Sequence, residues 1–468
     1  MVRDLRLNFV TVVSLAVVGL SVCLPTSASA VVTAKEIGNS VTKGTTYLEG
    51  LQVEATGELP SEWALTSLSA AGVAAASVNK SGVGGQDARS WYRGVIGAPN
   101  WAEGSAQPAA EFERATLAAY AAGIDPARPS SRQNLLAGVI GQYQPSSPGY
   151  YGATFSETAF ALLALENAKT TEGAQRVPQG LLELTVEAVL SNRHVDGGWS
   201  TAIVAGNKEA RATPSEPQIT GAAMAALCSA GFESSSAPIQ AAKEYLVSDF
   251  SKVTGAFLTG PSGEKTSDTI STAWAVSGLN ACGINAQATE FVGVPTKKYT
   301  PLQYLITQQV TGGGYRLDIG TTANIEASAA AVRALAGAGF TKEPPTPASG
   351  PRWQATTEFA TGKGEGVRLP LIVEDPGGPL QACSVWVVPR APSTTLESVL
   401  AAGTLSSMPG ECVAGYEISE TTGAVTQVNG YPPMPDEEWK VSLDGGARES
   451  ARGETAIHLG DVIVLSHE

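Results

Sequence analysis

Between residues 31 and 340 the chain repeats itself at intervals of roughly 44 to 64 residues, and nothing else in it narrows the possible folds so far. Ala-rich stretches that end in Gly recur at 62–72, 113–123, 218–231, 268–283 and 326–339, and a sixth at 157–167 ends in Asn, the other residue that tolerates a left-handed cap. One apolar residue follows each of the five glycines: Val73, Ile124, Phe232, Ile284 and Phe340. That is a Schellman-type ending with its hydrophobic contact. A second helical pattern precedes each stretch, at 41–51, 88–96, 132–143, 181–190, 239–250 and 302–310.

The two sets differ in patterning. In the preceding set, polar and apolar residues alternate with helical period, as in Ala242-Lys243-Glu244-Tyr245-Leu246, so one face is wet. The Gly-capped set is small and apolar all round, as in Ala222-Ala223-Met224-Ala225-Ala226-Leu227, and such helices must be enclosed. Six enclosed helices alternating with six amphipathic ones predict an inner and an outer ring, an α6/α6 toroid of helical hairpins. An open superhelix is the competing geometry, because the same patterning serves solenoids.

The ends and the composition divide the chain further. Arg3 and Arg6, the apolar run 9–23 and Ala28-Ser29-Ala30 form a signal peptide over 1–30, and the later sequence holds no apolar run long enough for a transmembrane segment. The expected setting is secreted or extracellular, in association with the cell envelope. Loss of Arg3, Asp4 and Arg6 moves the net charge from −14 to about −15, which repels phosphate backbones and excludes nucleic acid as a partner. Four cysteines remain, Cys228, Cys282, Cys383 and Cys412, and an even count in an exported chain favours disulfides. The simplest pairing keeps each bridge within one domain. The toroid at 31–340 gives way to a Pro-rich linker at 341–352 and then to short β-type runs over 353–468. Strands at 382–388, 417–419, 439–443 and 463–465, with one amphipathic helix at 394–402 capped by Ser393, predict a small α+β, β-grasp-like domain.

Two resemblances attach to these residues. Asp196-Gly197-Gly198-Trp199-Ser200 and Gln308-Gln309-Val310-Thr311-Gly312-Gly313-Gly314-Tyr315 resemble the Gln…Gly-Gly-aromatic turns of the prenyltransferase and squalene-cyclase repeat family. Pro148-Gly149-Tyr150-Tyr151 and Thr254-Gly255-Ala256-Phe257 are degenerate copies. This likeness implies the toroid and leaves the chemistry open, since such rings serve cyclases, transferases and binders. The order of Thr394-Thr395-Leu396, Tyr416-Glu417-Ile418, 425–430, 439–446 and 459–463 is similar to the β-domain of intrinsic factor and transcobalamin. That second likeness implies cobalamin or another corrinoid held between ring and β-domain. The same β-domain also occurs in exported bacterial proteins whose ligand the domain does not imply.

Reactive equipment is sparse. Neither the Asp-rich motif of the terpene cyclases nor the thioester motif Gly-Cys-Gly-Glu-Gln is present, and His194, His458 and His467 lie far in sequence from any inner-ring Cys, so no zinc site of the prenyltransferase kind and no metal is expected. His194 suits the negative end of an outer helix. Glu62, Glu113, Glu157, Glu216, Asp268 and Glu326 stand at or near the starts of the inner helices. They read as caps, or, for Glu157, Glu216, Asp268 and Glu326, as rim carboxylates able to work as acid and base on a sugar. Tyr150, Tyr151, Trp199, Phe257 and Tyr315 in the turns, with Tyr431 and Trp439 beyond, are the candidate ligand-gripping aromatics. The expected function is a secreted, non-catalytic protein that holds a small-molecule or cell-surface ligand. A cell-envelope adhesion module and a carbohydrate-active toroid are the alternatives.

Overall fold

A computed structural model describes residues 32–80, 85–98, 101–102, 105–130, 133–170, 173–260, 264–293, 299–341, 366–374, 380–388, 394–404 and 412–467. The expected signal peptide, linker residues 342–352 and the Ser393 cap lie outside the described residues.

The small apolar runs form the inner helices α2 (Glu62–Ala70), α4 (Pro108–Ala121), α6 (Phe155–Glu166), α8 (Pro217–Ser229), α10 (Thr269–Ala281) and α12 (Ile325–Leu335). The amphipathic runs form the outer helices α1 (Ala34–Gly50), α3 (Ala88–Ile96), α5 (Leu135–Ile140), α7 (Gln179–Ser191), α9 (Ala237–Ser248) and α11 (Pro301–Thr307). Each inner helix packs on the next, and α12 returns to pack on α2. The ring is closed, an α/α toroid. Its inner helices run parallel: Ser61 joins Glu326 and Gln218 joins Ser271 at their starts, while Tyr120 reaches the Ala164 carbonyl and Asn280 the Ala334 carbonyl at their ends.

Four of the five expected Schellman endings are present. Gly72, Gly123, Gly231 and Gly283 all have positive φ, and Val73, Ile124, Phe232 and Ile284 donate their N–H back to Leu68, Ala119, Leu227 and Leu279. The fifth is displaced. α12 stops at Leu335, its left-handed residue is Gly337 (φ 74°), and Ala338 donates to the Arg333 carbonyl. Phe340 is thereby released from capping duty.

Beyond the ring, β1 (Leu258–Thr259) and β2 (Thr266–Ser267) form a short hairpin before α10. The carboxy-terminal part holds β3 (Val367–Glu374), β4 (Gln381–Val387), β5 (Thr394–Thr395), α13 (Leu396–Thr404), β6 (Tyr416–Ile418), β7 (Val425–Val428), β8 (Trp439–Leu443), β9 (Glu449–Ser450), β10 (Ala456–Ile457) and β11 (Ile463–His467). Its main sheet has the order β4-β3-β11-β8-β9, with β3 and β11 parallel and the other neighbours antiparallel. The expected helix begins two residues late, because Thr394 and Thr395 pair with β10. β3 is an addition to the sequence reading. Pro370 lies one residue before the pairing with β11 starts at Leu371, so its missing N–H costs no bond on that side.

The alternation of β3 divides its residues between two cores. Val367, Leu369, Leu371 and Val373 face α13, together with Val385, Leu396, Val399, Leu400 and Leu465. Ile372 points the other way and joins the core of the ring, as do Ala382, Val462 and Val464. The element on the ring side is outer helix α5, which packs on β3 and β4. The sheet therefore lies against the outer wall.

Candidate binding site

The centre of the ring is occupied by aromatic rings. Trp63 of α2, Phe160 of α6 and Trp274 of α10 come from alternate inner helices and meet across the axis, joined by the released Phe340. Their centroids lie 5.2 to 6.2 Å apart in tilted or edge-to-face pairs, the arrangement that the ring quadrupole favours. Arg333 of α12 enters this cluster with its guanidinium carbon 5.1 Å from the centroid of Trp63 and 4.4 Å from that of Phe340. It is 1% exposed. Burial pushes its pKa down to about 9, against the opposing influence of Glu326, so it stays cationic at neutral pH.

Below this plug, at the carboxy-terminal ends of the inner helices, lies a cavity of about 390 Å³. Leu163, Glu166 and Lys169 line it from the α6 side, Ala225 and Ser229 from α8, and Phe340 also contributes. Cys228, bridged to Cys282, is part of its wall. Burial raises the Glu166 carboxyl above its ordinary range, and Lys169 opposes the rise.

The rim at the opposite end is knit together by its own hydrogen bonds. Glu157 completes a capping box, its Oε2 accepting from the N–H groups of Ala153 and Thr154 at 2.7 Å each. Asp268 caps α10 by accepting from Ser271 N–H at 2.8 Å. Glu216 accepts from Thr201 and Gln218, and Glu326 from Ser61. Glu113 stands apart. α4 begins at Pro108, five residues earlier than the pattern implied, so Glu113 falls beyond the first turn. It is 1% exposed, and burial with the Glu157 charge holds its carboxyl well above the usual range.

The turn aromatics face inward to protein. Tyr151, Trp199, Phe257 and Tyr315 are fully buried, and Tyr150 nearly so. A shared device fixes four of them: the N–H of Tyr151, Trp199, Phe257 and Tyr315 donates to the hydroxyl of Thr158, Thr220, Thr272 and Ser328 in the next inner helix, at 2.7 to 3.3 Å. Trp199 also donates its ring N–H to the Val189 carbonyl at 2.7 Å. Such rings wedge each turn between its two helices and offer a ligand no surface. Trp439 is likewise buried, edge-on to His467, whereas Tyr431 remains 45% exposed. His194 is buried and bonded through Nδ1 to the Thr213 carbonyl and through Nε2 to Ser200.

The contact between ring and sheet, where the second resemblance implies a ligand, is occupied by side chains. Arg128 pairs with Asp444 at 3.3 Å and Asp461 at 3.4 Å, and Arg176 pairs with Asp125 at 2.9 Å. Tyr143 donates to the Leu380 carbonyl, and Arg368 lies over Phe112 and Trp386. Burial holds Asp444 and Asp461 above the ordinary carboxylate range, the arginines offsetting only part of it. Both expected disulfides are formed, Cys228 with Cys282 and Cys383 with Cys412. Among the described residues no group of three or more His, Cys, Asp or Glu is placed to hold a metal ion, and no helix is long and apolar enough to cross a membrane.

The residues that fill the centre are not among the aromatics expected from the turns. Their signal was present: a large aromatic in each of three alternate inner helices otherwise rich in Ala, Ser and Leu, and one Arg inside Ala-Ala-Val-Arg-Ala-Leu.

Closed ring, filled centre and side-mounted sheet place the chain in the α/α-toroid class. No family model and no curated protein sequence matches it. Among solved structures, the type II terpene cyclase MstE from Scytonema is similar at 14% identity, over 64% of this chain and 97% of that one, with a TM-score of 0.44. Haptocorrin in complex with Cbi is similar at 12% identity over 93% and 96% of the two chains, TM-score 0.29. Candida albicans protein geranylgeranyltransferase-I complexed with GGPP is similar at 15% identity over 67% and 86%, TM-score 0.38.

Proposed function

We propose that the protein is an exported, non-catalytic binding protein that takes a small molecule at the mouth of its ring. The aromatic plug carries this reading. A toroid can work chemically in its hollow centre, and here four aromatic rings and a guanidinium occupy that volume. Among the described residues the mouth offers a cavity of about 390 Å³, within the range that small-molecule sites use. The paired disulfides suit an oxidising compartment outside the cytoplasm. A corrinoid, the ligand implied by the likeness to intrinsic factor and transcobalamin, would have to part the Arg128, Asp444 and Asp461 seam or sit at the mouth instead.

The test is a thermal-shift screen of small molecules on the full chain, with a cobalamin among them, repeated on Ser229→Trp. Ser229 is an exposed wall residue, so the indole fills the cavity without entering the core. A true ligand at a hundred times its Kd stabilises by about 2.7 kcal/mol, and Ser229→Trp should abolish that gain. A ligand whose effect survives in Ser229→Trp binds elsewhere and overturns the mouth assignment. A cobalamin titration that shows no displaced corrin spectrum removes the corrinoid. Turnover of a polysaccharide by the parent protein would replace this reading with the carbohydrate-active one.

A further inference from the structure

Among the described residues the cationic group at the heart of the plug has no hydrogen-bonded anion. Arg333 Nη1 and Nη2 are buried without a hydrogen-bond partner among the described residues, and Nε reaches Ser277 Oγ only at 3.5 Å. Glu326, the carboxylate that influences it, already accepts from Ser61 at 2.8 Å. Stacking on Trp63 and Phe340 satisfies the faces of the guanidinium. It leaves the edge of the fork, whose paired N–H groups match a planar oxyanion, unused. Guanidinium and mouth share one ring, for Phe340 both stacks on Arg333 and lines the cavity. The displaced cap closes at Ala338, two residues before Phe340, so Phe340 itself is not the capping residue.

We propose that Arg333 is an anion receptor, and that the molecule bound at the mouth carries an apolar body and an oxyanion head, a carboxylate or phosphate, which reaches the guanidinium past Phe340. The apolar body lies against Leu163, Ala225 and Phe340, and the polar remainder of the mouth, Glu166, Asn167, Lys169 and Ser229, faces whatever polar end meets solvent. This inference rests on the mouth being the binding site.

Calorimetric titration of the full chain with octanoate, octyl phosphate and neutral octanol tests it. Octanoate or octyl phosphate should bind at least tenfold more tightly than octanol, and the better of the two identifies the head group. Arg333→Met should erase that preference and leave octanol unchanged. Because methionine replaces an unpaired buried charge by an apolar chain of similar length, this variant should also melt higher in the absence of ligand. Arg333→Lys, which keeps the charge and loses the fork, should retain part of the preference, and it serves as the test if the methionine variant does not fold. Unchanged octanoate affinity in Arg333→Met overturns the proposal while octanol binding keeps the mouth reading alive. A lower melting temperature with no change in any affinity means that Arg333 only staples the plug. If none of the three probes binds the parent protein the anion receptor is refuted, and the wider screen then decides the mouth reading separately.

Discussion

Glu113 shows how a single side chain sets a pH dependence. Its folded form keeps a proton to higher pH than the unfolded form does, because burial and the neighbouring Glu157 charge both oppose ionisation. The unfolded chain therefore releases that proton first, and stability falls as pH rises from the ordinary carboxylate range towards the folded value. Glu113→Gln removes the cost. Denaturation of the two proteins across pH should show near-equal stability under acidic conditions and a growing advantage for the variant on the alkaline side; a gap that shrinks with rising pH would contradict the assignment. Thr220 makes the complementary case. Its hydroxyl accepts from the Trp199 N–H at 3.0 Å, both groups being buried, so Thr220→Val keeps the shape and orphans a donor. The expected loss is about 1–3 kcal/mol by chemical denaturation. At this scale the sequence was legible for chemistry and mute about direction. A Tyr or Trp after a Gly-Gly turn reads equally as a ligand grip or as a wedge, and only the hydroxyl one turn into the following helix decides for the wedge.

At the scale of elements, helix identity was written plainly in the chain, because caps and periodicity agree. The missed strand and the shifted cap both came from local signals that tertiary context overrides. A proline is unfavourable inside a central strand, and Pro370 is tolerated in β3 because the pairing with β11 starts only at Leu371. Gly339 looked like the end of α12, yet Gly337 takes the left-handed conformation, and that two-residue difference separates a capping phenylalanine from one that plugs the centre. The α8 and α10 pair is where packing is tightest. Gly221 and Gly278 face each other so closely that a Cβ on either would strike the backbone of the other helix, and Cys228 joins Cys282 near the far ends. Gly278→Ala should lower stability by about 2–3 kcal/mol, the size of an overpacked core, despite its better helix propensity. Removing the bridge by Cys228→Ser with Cys282→Ser frees a loop closed over 54 residues, a loss on the order of 4 kcal/mol in the loop-entropy account. Urea titration measures both, and an unaltered midpoint in either variant would show that the helices approach for another reason.

The whole molecule is held together at a turn. Asp444 and Gly445 both have positive φ, 53° and 69°, the type I′ geometry that an Asp-Gly pair favours. Asp444 reaches Arg128 and Arg176, and Gly445 lies so close to the Gln175 carbonyl that no side chain fits between. The wholly apolar α5 run Leu-Leu-Ala-Gly-Val-Ile marks an enclosed helix, and all six residues are buried, but nothing in it says that the sheet is what covers its outer side. Scanning calorimetry of the full chain should record one transition. Gly445→Ala should lower that single transition without dividing it, because ring and sheet share the core that β3 enters; an unchanged peak would mean that the turn contributes nothing to the coupling.

The split allegiance of β3 has a practical consequence. A strand whose odd residues belong to one interior and whose even residue Ile372 belongs to another cannot be assigned to either piece. A cut at the Pro-rich boundary would leave α5 with a bare greasy stripe on one fragment and one face of the sheet uncovered on the other. Each fragment made by itself should clump rather than fold, and the two should recover solubility only when produced together in one cell.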